Sequence, residues 1–182
     1  MRYSLPKTVE LGGVEYAIRS DYREILDILE MLADPELDNA DKAEAMIEMF
    51  YPDCDNIPFT EYENAVRQCI AFINCGEEEY REEKRPKLMD WQQDFSMIAS
   101  PINRVLGTEI RALEYLHWWT FIAAYQEIGD CTFAQVVSVR KKKSKNQKLD
   151  KSDQEFYKQN KHLVDFKRKY TKEDEDIISR WV

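Results

Sequence analysis

A chain of 182 residues, 43% of them hydrophobic and 12% aromatic, can bury one good core, which predicts a single domain. No stretch stays apolar for the roughly 18 residues of a membrane-spanning helix, and four cysteines without C-x-x-C spacing argue for structural thiols over a zinc site or disulfide framework. The net charge of −9 hides a division: residues 1–139 hold 12 basic and 27 acidic side chains, residues 140–172 hold 13 basic and 4 acidic. An acidic body with a basic segment behind it predicts a self-repelling, soluble molecule with an arm suited to an acidic surface.

The first predicted element is a β-hairpin. Val9 and Leu11, then Val14, Tyr16 and Ile18, alternate with polar residues on either side of Gly12-Gly13, the glycine pair that a two-residue type I′ turn requires. A lone hairpin is marginal in water, so its apolar face must rest on later helices. Ser20 or Asp21 can cap the next helix, where Tyr22, Ile25, Leu26, Leu29 and Leu32 recur at helical spacing before Asp34-Pro35. A second helix is predicted from about Asn39 to Phe50. A third runs from Thr60 to about Cys75, with Tyr62, Ala65, Val66, Cys69, Ile70 and Ile73 on one stripe and Gly76 as its terminator.

Residues 77–87 are almost entirely charged and read as a solvated connector. Helical pattern resumes at Trp91 and Phe95, with Pro101 at a helix start or kink. A further helix opens at Thr108 and should end at Gly129, with Leu116-His117-Trp118-Trp119 at its centre. Adjacent tryptophans point about 100° apart on a helix, so this one belongs inside a core or a protein–protein contact. Cys131–Val139 suits a short helix through Phe133, Val136 and Val137. The run Arg140, Lys141, Lys142, Lys143, Lys145 and Lys148 has no apolar partner and reads as an exposed loop or arm. A weakly amphipathic helix follows from Ser152, and Asp174–Val182 adds a last turn or two. The expected architecture is thus mainly α: a single-domain helical bundle with a small N-terminal β-hairpin. Its body spans 1–139, and 140–182 is a basic segment and helical extension of the same domain.

Catalytic machinery is hard to find. Only two histidines could serve as a base. His117 lies between apolar neighbours and reads as a core histidine; His162, among lysines, reads as a surface one. No phosphate-cradling glycine loop, dinucleotide fingerprint or H-E-x-x-H pattern occurs. The expectation is no enzyme, no cofactor and no metal. The lysine run raises phosphate binding, but the acidic body would repel a duplex, so nucleic acid is an improbable partner.

The ordered set Thr8–Ile18, Ser20-Asp21-Tyr22-Arg23, Phe50-Tyr51-Pro52, Phe72–Gly76, Trp91–Phe95 and Leu116–Phe121 resembles the bacteriophage gp-fifteen family over nearly the whole chain, fading after about Tyr170. That resemblance implies a tail assembly chaperone of long-tailed phages, working in the cytoplasm of the bacterial host. Its implied partners are the tape-measure protein, tail tube subunits or its own copies. An alternative is a structural tail or nucleic-acid-associated protein using the basic arm 140–148. The first seven residues lack the apolar core of a secretory signal, in keeping with that location. The candidate partner-binding residues are Trp118, Trp119, Trp91 and Phe95.

Overall fold

The computed structural model of the chain describes residues 4–76 and 86–167. They are mainly α-helical, with one two-stranded antiparallel sheet. The chain forms two compact units, Met1–Arg85 with Ile98–Gly129 and Pro86–Met97 with Asp130–Val182. Residues 77–85 of the predicted connector at 77–87, and the predicted last turn at Asp174–Val182, lie outside the described residues.

In the first unit, β1 (Thr8–Leu11) pairs with β2 (Val14–Ala17) in the register Leu11↔Val14 to Thr8↔Ala17. Gly12 and Gly13 form the turn, both at positive φ, 55° and 81°. Leu11 and Ile18 are buried, and the Tyr16 hydroxyl donates to the Asn56 carbonyl at 3.0 Å. The hairpin is therefore moored to the residues that follow it. Helix α1 (Tyr22–Leu32) starts at Asp21, whose Oδ1 accepts from the Arg23 amide at 3.0 Å; it buries Tyr22, Ile25 and Ile28. Asp38 caps α2 (Asn39–Phe50) in the same way, and α2 turns Met46, Ile47 and Phe50 inward.

Helix α3 (Tyr62–Ile73) continues from a 3₁₀ turn at Phe59–Glu61 and buries Ala65, Cys69 and Phe72. It ends in a Schellman motif, with the Gly76 amide on the Ala71 carbonyl (2.8 Å) and the Cys75 amide on that of Phe72 (3.0 Å). The left-handed residue usual for glycine is here Cys75, at φ 58°, and Gly76 follows at 89°.

Helix α4 (Trp91–Leu106) runs through Pro101 and stops before Gly107, at φ 69°. The next helix departs from expectation. It was predicted to open near Thr108, but α5 covers only Trp118–Gln126. A 3₁₀ turn at Ile110–Ala112 precedes it, and Asp21 and His117 form an isolated antiparallel bridge. The reason is long-range pairing. The Tyr22 amide donates to the Leu116 carbonyl (2.9 Å) and the Trp118 amide to the Ser20 carbonyl (2.8 Å). Asp21 Oδ2 takes the Leu116 amide at 2.9 Å. These bonds hold Leu116 and His117 extended, which a helix could not satisfy.

The second unit contains α6 (Thr132–Ser144), α7 (Lys151–Gln159) and α8 (Lys161–Val164). Its core is Val136, Val139 and Val164, packed with Met97, Leu149, Phe156, Tyr157 and Leu163. Helix α6 continues through the basic run to Ser144, correcting its reading as a loop. It ends with Asn146 left-handed at φ 52°.

Replacing Asp21 removes a helix cap and strands the Leu116 amide in the interior. Asp21→Ala should cost roughly 2–4 kcal/mol in chemical denaturation, and Asp21→Asn less, because its one oxygen can still serve either amide.

Candidate interaction surface

The tandem tryptophans sit on the first turn of α5 and do a structural job. Trp118 Nε1–H donates to the Ile73 carbonyl and Trp119 Nε1–H to the Phe72 carbonyl, each at 2.9 Å. Two consecutive indoles thus bond two consecutive carbonyls at the end of α3, where helical amide donors run out; that of Phe72 also accepts from the Cys75 amide. Trp118 is 2% exposed and stacks on Phe121, which stacks in turn on Tyr22. Trp119 is half-buried, against Phe72 and His117. Trp91 and Phe95, on the first turns of α4, are also half-buried. Trp118 and Trp119 belong to the first unit, Trp91 and Phe95 to the second.

His117 is not on the helix but caps it. Its Nδ1 accepts from the Trp119 amide at 3.0 Å, and its Nε2 lies 2.9 Å from the Pro6 carbonyl. A carbonyl only accepts, so the ring is the neutral tautomer with the proton on Nε2. Burial, aided by the nearby Lys7 charge, holds its pKa below the ordinary 6.5, despite the opposing bond to Pro6. Protonation would put hydrogen on Nδ1 and break the cap.

Because the folded-state pKa is the lower one, protonation favours the unfolded chain. The stability tied to His117 is complete above about pH 6.5 and is lost as pH falls through the depressed value. The midpoint of thermal unfolding should therefore drop between about pH 7.5 and 5.5, and His117→Asn, whose cap does not titrate in that window, should flatten the drop.

The basic segment is likewise different from its predicted form. Arg140 is buried, 4% exposed, and forms a bidentate ion pair with the fully buried Asp94, at 2.6 and 2.9 Å. Its Nε–H donates to the Val164 carbonyl (2.7 Å), and its remaining N–H groups to those of Leu88 (3.0 Å) and Leu163 (2.7 Å). All five donors of the guanidinium are used, and the Phe166 ring lies over it, 4.1 Å from carbon to centroid. Asp94 also accepts from the Asp90 amide at 2.9 Å. Lys142 is bonded to Asp153, and Lys143 to Asp165 at 2.6 Å. Lys141, Lys145 and Lys148 are exposed. As far as Ser144 the arm is thus a helix, whose arginine is interior and two of whose lysines are neutralised locally.

Removing one partner of a buried pair leaves an uncompensated charge. Arg140→Met should destabilise by about 3–5 kcal/mol in urea denaturation, and adding Asp94→Leu should restore part of that loss.

Among the described residues no group of three or more His, Cys, Asp or Glu side chains could hold a metal ion. Cys69 is buried in the core, and burial pushes its thiol pKa up, away from nucleophilic use. What the sequence reading did not single out is Phe59. It is 85% exposed and packs on Tyr62, with ring centroids 5.2 Å apart. Ile70, counted with the core stripe of α3, is 44% exposed, and Val66 between them is half-buried. The signal was the width of the stripe, which spans more of the helix than one buried face can cover.

No helix among the described residues is long and apolar enough to cross a membrane. No curated protein and no solved structure matches the chain. The model of one family, described as Bacteriophage Gp15 protein, matches residues 1–166. The chain belongs to the Bacteriophage Gp15 protein family.

Proposed function

We propose that this phage protein is a non-enzymatic tail assembly chaperone. It binds the tape-measure protein in the host cytoplasm, with tail tube subunits as second partner, while the tail forms. The observation that carries the reading is an outward apolar face on an otherwise acidic, helix-rich unit. The described residues of the first unit hold 19 acidic and 7 basic side chains, a net −12. Phe59 and Ile70 nevertheless stand exposed on it. A long helical partner with apolar stripes needs such cover, and the shared negative charge keeps many bound copies apart.

His117 supports a role without catalysis, since both ring nitrogens are engaged in holding backbone. The nucleic-acid alternative for the basic segment has less support. Arg140 is interior and Lys142 and Lys143 are ion-paired, which leaves Lys141, Lys145 and Lys148 of the run to displace counterions from phosphates.

Co-expression with the tape-measure protein of the same phage tests the proposal. The soluble fraction of that protein should rise several-fold when this chain is present. An unchanged soluble fraction, with both proteins expressed, would contradict the chaperone reading.

A further inference from the structure

We propose that the outward face of α3, running from Phe59 through Tyr62 and Val66 to Ile70, docks a basic amphipathic helix of a partner protein. The inference deepens the chaperone reading and rests on it for the partner's identity. Helix α3 has two apolar faces. Ala65, Cys69 and Phe72 point into the core, while Tyr62, Val66 and Ile70 fall four residues apart on a second line. The 3₁₀ turn Phe59–Glu61 leads directly into α3 and sets the Phe59 ring on Tyr62 at the upper end of that line. The line is roughly 16 Å long at 1.5 Å per residue, about three turns of a helix laid along it. A phenylalanine 85% exposed offers a large area to a partner at little cost in side-chain entropy.

Charge decides among the possible occupants. The unit that carries the stripe has a net −12 among its described residues. Glu63, ion-paired with Arg67, stands beside the stripe, Glu61 lies between Phe59 and Tyr62, and Asp53 and Asp55 come just before it. A second copy pressing the same face would bring like charge against like charge. The chain's own residues 168–182 hold four acidic side chains and four basic, so charge gives them no net attraction to this face. Nucleic acid and anionic membrane are excluded by like charge. A helix with an apolar stripe flanked by lysine or arginine is attracted on both counts, and its binding should weaken with salt.

The test uses the full chain and a fluorescent synthetic helix with a leucine stripe flanked by lysines, beside a control peptide whose flanks are glutamate. The lysine peptide should bind, more weakly at about 0.5 M than at 0.05 M salt, and the glutamate peptide should not. Phe59→Ala should weaken binding about tenfold or more, and Ile70→Glu should abolish it. Thermal unfolding midpoints verify that both variants fold, and either one suffices if the other does not. Wild-type affinity in a folded variant, or equal binding of both peptides, overturns the proposal. So does tighter binding after deletion of residues 168–182, which would make the chain's own terminus the occupant, or a dimer lost in Phe59→Ala, which would make it a second copy. Co-expression separates the two levels. If the wild type solubilises the tape-measure protein and folded Phe59→Ala does so equally, this face is wrong and the chaperone reading stands. If the wild type has no effect, that reading fails whatever the peptides do.

Discussion

The first unit depends on one pair of residues, Asp21 and His117, bridged across 96 positions of chain. Each caps its own helix, Asp21 at α1 and His117 at α5. Each also reaches outside that helix, Asp21 to the Leu116 amide and His117 to the Pro6 carbonyl. The backbone bonds of Tyr22 to Leu116 and of Trp118 to Ser20 close the bridge. Immediately behind it, the two indoles finish α3. The N-terminal segment and the ends of three helices thus meet within two short extended pieces. Among the described residues no buried side-chain nitrogen or oxygen lacks a partner, which makes the junction costly to open. Local capping and long-range pairing are satisfied by the same side chains, so neither helix start can shift without disturbing the other.

The second unit is organised around a different polar group. Arg140 ties α6 to the start of α4 and to the last carbonyls of α8. Those carbonyls carry the negative end of α8, where a cation is favoured. An interior arginine of this kind gives direction and register more than net stability, because desolvation offsets much of the attraction. The surrounding lysines form a second tier, with Lys143 on Asp165 and also over the Tyr157 ring. Half of the positive run, Arg140, Lys142 and Lys143, is thus engaged inside its own unit, and Lys141, Lys145 and Lys148 stay exposed.

How much of this the sequence could reveal follows the range of each interaction. The hairpin, α1, α2 and α3 were legible because glycine turns, aspartate caps and apolar spacing are local signals. For Trp118 the sequence left two readings, core or partner contact, and the structure buries it. The start of α5 was not legible, since apolar spacing around Trp118 continues smoothly upstream. Only pairing with Ser20–Tyr22, far off in the chain, dictates the extended backbone at Leu116 and His117. Arg140 was hidden among lysines because charge alone does not distinguish an interior guanidinium from a solvated one; its carboxylate lies 46 residues away. The outward line on α3 merged with the inward one, since Tyr62, Val66 and Ile70 interleave with Ala65 and Cys69 along the sequence. That face is the candidate site, and reading it required knowing which side the core takes.

The Asp21–His117 junction closes the first unit. Native-state amide hydrogen exchange tests that most directly. The amides of Tyr22, Leu116, Trp118 and Trp119 should exchange only through the unit's largest opening, with protection equal to the slowest core amides of α1 and α3. Exchange of Leu116 and Trp118 well ahead of that core, through a local opening, would contradict it.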